Sequence, residues 1–157
     1  VSSDRVRKEI TGTGETERRR EGYEGGIYSP ETTVRTYEEI ISRGMKALEA
    51  HNIVILDASF SKRGWRDMVA RKSADGGFKV VFIETRAPEE VLRGRLTKRE
   101  KEGTSVSDAG PEMLKRFTAD FERPDELGEG RLFSVDTDRE PEEALLRLFK
   151  DMIKKKA

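Results

Sequence analysis

Asn52-Ile53-Val54-Ile55-Leu56-Asp57-Ala58-Ser59-Phe60 reads as a strand and the turn that follows it. Four consecutive large apolar residues, three of them β-branched, lie between polar neighbours. The pattern predicts burial on both faces, as in a parallel sheet covered by helices. Ligands of open α/β sheets sit outside the carboxyl ends of the strands. An acid directly after the apolar run faces such a crevice, and Asp57 is that acid.

On the C-terminal side, Ser61-Lys62-Arg63-Gly64 is a basic turn into a short helix through Trp65, Met68 and Val69, read as a surface helix and ended by Gly76-Gly77. Phe78 to Glu84 is the next predicted strand. Ala87-Pro88-Glu89-Glu90 opens a helix over 88–102, with proline and acids in its first turn. A polar stretch, Gly103 to Gly110, breaks it, and Pro111 opens another helix carrying Leu114, Phe117 and Phe121 on one side. Arg131 to Asp138 gives a last short strand and a polar corner. Glu140-Pro141 restarts a helix whose Leu145, Leu146, Leu148, Phe149, Met152 and Ile153 are expected to face inward, closed by Lys154, Lys155 and Lys156.

On the N-terminal side, Ser29-Pro30-Glu31 is a capped helix start, followed by Val34, Tyr37, Ile40, Ile41, Met45 and Leu48 at helical spacing. Residues 11–29 carry five glycines among many charges and read as a mobile loop or a broken helix of the kind that closes over a substrate. The first ten residues read as a strand end running into a helix with Ser3 or Asp4 as its N-cap. Strand-helix alternation of this kind predicts a parallel sheet with right-handed crossovers, and the 157-residue length predicts one domain.

Composition narrows the function classes. Basic and acidic residues number 31 each, which gives no bulk attraction to nucleic acid or an anionic membrane. There is no cysteine and a single histidine, so disulfides, thiolate zinc sites and thiol nucleophiles drop out, and a serine-histidine triad is disfavoured. No apolar run approaches ~18 residues and no signal-peptide pattern opens the chain, so the expectation is a soluble cytoplasmic protein.

Several charges ask for a reason. Arg5, Arg7 and Lys8 fall in an early turn where the helix dipole disfavours cations, which fits either an anionic ligand or a solvated helix start. Arg93 has Glu89 four residues before it and is explained as an ion pair. Arg95 and Arg99 lie four apart with like charge, and Glu102 can offset only Arg99. They read as an anion clamp or as a solvated basic face. Tyr23 and Tyr28 flank the glycine pair Gly25-Gly26, as ligand contacts or as packing staples.

Taken together, Ser2-Ser3-Asp4-x-x-Arg7, Gly26-Ile27-Tyr28-Ser29-Pro30-Glu31, Ile55-Leu56-Asp57-Ala58-Ser59-Phe60, Arg86-Ala87-Pro88-Glu89-Glu90-Val91 and Val135-Asp136-Thr137-Asp138 resemble P-loop kinases of the small-molecule or polynucleotide type. The nearest resemblance is to ATP-binding kinase domains often fused to an aminoglycoside-phosphotransferase-like domain, with zeta-toxin-like and gluconate-kinase-like enzymes as wider relatives. It implies a three-layer α/β/α parallel sheet of the P-loop NTPase type and ATP-dependent phosphoryl transfer to a hydroxyl on a small molecule or a polynucleotide end. It further implies Asp57 as the acid holding Mg²⁺ through water, Asp4 as the base, and Arg7 and Tyr28 at the acceptor. Arg95 and Arg99 would be lid arginines beside a loop at 103–110, and Thr137 would border the adenine.

One element of the resemblance is missing: no G-x-x-x-x-G-K-[ST] occurs in the sequence. In such kinases that loop and its central strand precede the position of Val1. The chain is therefore expected to be the downstream part of a larger kinase domain, poor at binding ATP by itself. The competing expectation is a non-catalytic nucleotide-binding or protein-interaction module. The acceptor and the oligomeric state stay open.

Overall fold

The computed structural model describes residues 1–14, 26–102 and 110–155. The elements run α1 (Ser3–Thr11), a 3₁₀ turn (Gly26–Tyr28), α2 (Pro30–Ala47), α3 (Arg63–Asp75), β1 (Phe82–Arg86), α4 (Glu89–Glu102), a second 3₁₀ turn (Pro111–Met113), α5 (Leu114–Asp120), β2 (Leu132–Asp136) and α6 (Pro141–Lys154). The glycine-rich loop expected at 11–29 lies outside the described residues over 15–25, and the expected lid loop does so over 103–109.

α2 starts where its sequence says it should. The Ser29 hydroxyl accepts from the Thr32 N–H at 3.2 Å, and Pro30 occupies the first helical position. One face then buries Tyr37, Ile40 and Ile41 with Val6 of α1 and Val69 of α3; Ile40 is 0% exposed. Leu56, Ala58, Phe60, Val80 and Phe82 pack on this cluster from two extended segments. Three helices thus form a layer on one side of the extended chain. α1 ends at Gly12, whose left-handed φ of 64° lets its N–H return to Glu9.

Two parallel pairings make up the described sheet. β1 and β2 pair in register from Phe82↔Leu132 to Arg86↔Asp136. At the chain start, Val1 N donates to the Ile55 carbonyl at 2.8 Å, Asp57 N–H to the Val1 carbonyl at 2.9 Å, and Ser3 N–H to the Asp57 carbonyl at 2.8 Å. This gives a single parallel bridge, Ser2↔Asp57. Among the described residues no ladder joins one pair to the other. The parallel pattern alternates, so the backbone groups of Val54 and Leu56 turn to the free edge of one pair, and those of Ile83 and Thr85 to the free edge of the other.

Three expectations are corrected here. Residues 53–56 are extended but are not buried on both faces: Leu56 packs inward while Ile53 is 81% and Ile55 76% exposed. Among the described residues no layer covers that second face beside the gap. α6, on the Phe133 side of the sheet, buries only Ala144 and Leu148; Leu145, Leu146, Phe149 and Ile153 are open for the same reason. The second predicted strand, 78–84, is shifted to 82–86, because β2 supplies ladder partners only from Leu132.

Adjacent residues should therefore respond oppositely. Ile55→Thr is expected to change the unfolding free energy by less than about 0.5 kcal/mol, whereas Leu56→Ala should cost about 2 kcal/mol through the lost contact and the cavity left. Urea midpoints of the two variants check this, and equal costs would contradict the one-sided burial.

Candidate functional site

The backbone seating of Val1–Ser3 against Ile55–Asp57 brings Asp4 and Asp57 to the carboxyl ends of neighbouring parallel segments. Asp57 is exposed at its tip. Asp4 is half-buried in the first turn of α1, where the exposed backbone N–H groups favour a negative charge. The N-cap is Ser2, with no side-chain cap bond, and not Ser3 or Asp4 as expected. The Asp4 carboxylate is thereby not committed to capping.

Arg7 follows Asp4 by three residues, one turn along the same helix face. It is only 8% exposed. Its Nη1 donates to the Ile27 carbonyl at 3.1 Å and the Thr33 hydroxyl at 3.2 Å, and the guanidinium lies 4.8 Å from the centre of the Tyr28 ring. Its Nε is buried without a partner. Burial pulls the Arg7 pKa below its ordinary value, while Tyr28, Asp4 and Tyr37 act in the opposite sense. Asp4, Arg7, Tyr28 and Asp57 thus gather about the start of α1.

Arg95 and Thr137 form a second group. Arg95 Nη1 donates to the Thr137 hydroxyl at 2.9 Å, and Nη2 to the Thr137 carbonyl. Thr137 in turn continues the β1–β2 ladder, its N–H donating to the Arg86 carbonyl at 2.7 Å. Arg93 pairs with Glu89 at 2.7 Å as its spacing requires. Glu102 takes Lys98 at 3.9 Å, so the offset expected for Arg99 goes to a different cation. Arg99 is exposed on α4. A shallow groove of mixed charge runs along α4 between Glu89, Arg93, Thr97 and Lys101, and none of the candidate residues lines it.

The corner after Asp57 holds what sequence reading missed. Phe60 adopts φ 42°, the one positive φ at a non-glycine among the described residues, a conformation costing about 1–2 kcal/mol. Its N–H donates to the Tyr37 hydroxyl at 3.1 Å and its carbonyl accepts from Arg66 Nη1 at 2.8 Å. The Tyr37 hydroxyl also meets the Ser59 hydroxyl at 3.2 Å, and its ring stacks on Trp65 at 4.4 Å. Arg66, in a helix read as surface, is 3% exposed and pairs with Glu126 through Nε at 2.5 Å and Nη2 at 3.1 Å. No spacing in the sequence links residues 66 and 126.

The Arg66 hydrogen bond holds the Glu126 carboxyl below its ordinary pKa. Glu122, which accepts from the Arg63 N–H at 2.7 Å, is lowered as well. A carboxylate with a depressed folded pKa stabilises the fold above its unfolded value, and that contribution is lost as pH falls through the folded one. Stability is therefore expected to drop as pH goes from about 5 to about 3, and Glu126→Gln should remove part of that drop. Urea midpoints across this range test it; an unchanged pH slope would contradict the pairing.

Comparison with known proteins places residues 1–124 in a match to the family described as an AAA domain. A search of the curated proteins returns no match. Among solved structures, a gluconokinase from Sinorhizobium meliloti 1021 is similar at a TM-score of 0.61 and 17% identity, covering 98% of this chain and 76% of that one. With the parallel pairings, these findings give an α/β fold of the P-loop NTPase type.

Proposed function

The chain belongs to the AAA domain family, and from that membership we propose that it is the acceptor-side part of an ATP-dependent kinase transferring phosphate to a hydroxyl on a small molecule or a polynucleotide end. The observation that carries this reading is the meeting of Asp4 and Asp57 at the carboxyl ends of two hydrogen-bonded parallel segments, where α/β sheets bind their ligands. The solved neighbour is a gluconokinase, which agrees with a hydroxyl acceptor.

In this reading the Asp4 carboxylate accepts the proton of the acceptor hydroxyl. The new bond to the γ-phosphorus forms as the bond to the β–γ bridging oxygen breaks, and ADP carries that oxygen away. Arg7 and Tyr28 hold the acceptor side of the site. Arg95 and Arg99 supply positive charge to the transferred group from α4, with Arg95 steadied by Thr137 at the adenine side.

A single exposed carboxylate suits Mg²⁺ held through water, because that ion takes one or two carboxylates together with substrate phosphates. Among the described residues no group of three or more His, Cys, Asp or Glu forms an all-protein cage. When bound, Mg²⁺ would offset charge on the donor phosphates, with Asp57 as its protein anchor. The residues present do not supply the phosphate cradle, since the sequence holds no G-x-x-x-x-G-K-[ST]. We assign that cradle to a strand outside residues 1–157 that pairs into the gap between the two parallel pairs. Support comes from the edges at Val54, Leu56, Ile83 and Thr85 and from the open side chains of Ile53 and Ile55 beside them.

Asp4→Asn, made in a chain that carries the phosphate-binding strand assigned above, is expected to lower acceptor-dependent ADP release by about 10²-fold or more. It should leave ATP binding within about a factor of three, because Asp4 is assigned to the acceptor and not to the nucleotide. Coupled ADP assay and calorimetry read the two quantities. Retention of most of the turnover would remove Asp4 as the base, and ATP binding by the parent protein with no ADP release on any acceptor would favour the binding-module reading.

A further inference from the structure

Residues 121–126, the chain leaving α5, lie against the corner that follows Asp57. Glu122 N–H donates to the Ser61 carbonyl at 2.8 Å, the Arg63 N–H to the Glu122 carboxylate at 2.7 Å, and Lys62 approaches the same carboxylate at 3.4 Å. Inside these contacts sits the Arg66 guanidinium. One Nη donates to the Phe60 carbonyl, and the other donates to the Arg123 carbonyl at 3.3 Å and to Glu126. A single rigid fork therefore grips both segments at once.

Phe60 makes that grip consequential. Its left-handed backbone is unfavourable for a phenylalanine, so it persists only while its surroundings over-determine it. Two groups do so: Tyr37 of α2 on its N–H and Arg66 of α3 on its carbonyl. The ring is seated edge-on to Tyr37 at 5.4 Å and to Phe82 at 6.0 Å, which leaves the preceding Asp57–Ser59 tip at the sheet end.

We propose that Arg66 is a positioning residue that couples the chain leaving α5 to the Asp57 tip, by holding the left-handed Phe60 corner with the same guanidinium that binds Glu126. Movement of residues 121–126 then changes the support of the corner, and a change at the corner loosens residues 121–126. The coupling is reciprocal, as linkage between two sites demands. Its significance for catalysis rests on the assignment of Asp57 above, but its existence does not. It gives α4 and α5, which precede this segment, a physical connection to the sheet tip.

Residue-resolved amide hydrogen exchange on the chain as it stands reads this without any activity, so its failure is separate from failure of the kinase reading. Glu126→Gln is expected to speed exchange at the Phe60 amide about ten-fold or more while Ile40 and Ile41 of α2 keep their protection. Tyr37→Phe, which keeps the ring stack and removes only the hydroxyl, should speed exchange at the Glu122 and Leu127 amides, whose own bonds it does not touch. Arg66→Lys keeps the charge but not the fork and should loosen both places. The proposal is overturned if Glu126→Gln loosens only residues 122–127, if every core amide accelerates equally, or if Arg66→Lys matches the parent. Should Glu126→Gln fail to fold, Tyr37→Phe decides alone, and unchanged exchange at Glu122 and Leu127 overturns it.

Discussion

Three backbone hydrogen bonds between Val1–Ser3 and Ile55–Asp57 are the constraint on which the rest of the molecule depends. They fix the parallel direction of the two segments, so both leave the sheet at the same end. α1 begins immediately beyond this pairing and is directed onto α2, where Val6 meets Ile40 and Ile41 in the main core. Asp4 in the first turn of α1 and Asp57 at the segment's tip are neighbours for the same reason. Without that seating, two carboxylates 53 positions apart in the sequence would have no relation.

The second organising fact is one-sided burial. The helical layer of α1, α2 and α3 covers one face of the extended chain and takes Leu56, Ala58, Phe60 and Phe82 into it. On the other face Ile53, Ile55 and much of α6 stay open. Burying such apolar surface yields roughly 25 cal/mol per Å², so a face of this character is stable only marginally against association. Four hydrophobic residues in a row on a segment whose Val54 and Leu56 backbone groups meet no ladder partner among the described residues are the chemistry of a central strand, displayed here with one neighbour in place of two.

Five arginines show how neighbours decide what an identical side chain does. Arg93 is spent on Glu89 of its own helix. Arg95 crosses to Thr137 and joins α4 to the end of β2. Arg7 is buried against Ile27, Thr33 and Tyr28 with one N–H left over. Arg66 spans Phe60, Arg123 and Glu126, and Arg43 bridges Glu9 of α1 and Glu39 of its own helix. The pairings of Arg93 with Glu89 and Arg43 with Glu39 follow from i,i+4 spacing. Apart from the six-residue step between Arg66 and Phe60, the others depend on residues 20 to 60 positions away, which a single sequence does not connect.

What the sequence determined by itself was local and periodic. The Ser29-Pro30 start of α2, its stripe through Tyr37, Ile40 and Ile41, the span of α4, the start of α6 and the last strand all follow from caps, proline and helical or alternating spacing. Asp57 was also legible, because an acid that ends an apolar run is a strand-tip acid whatever lies beside it. Tertiary structure alone decided which face of that run is covered, where β1 finds its partner, and that a left-handed phenylalanine corner is held by Tyr37 and Arg66. Those depend on the presence or absence of a neighbouring layer and on contacts closed over long loops, and neither quantity is written in the order of residues along one strand.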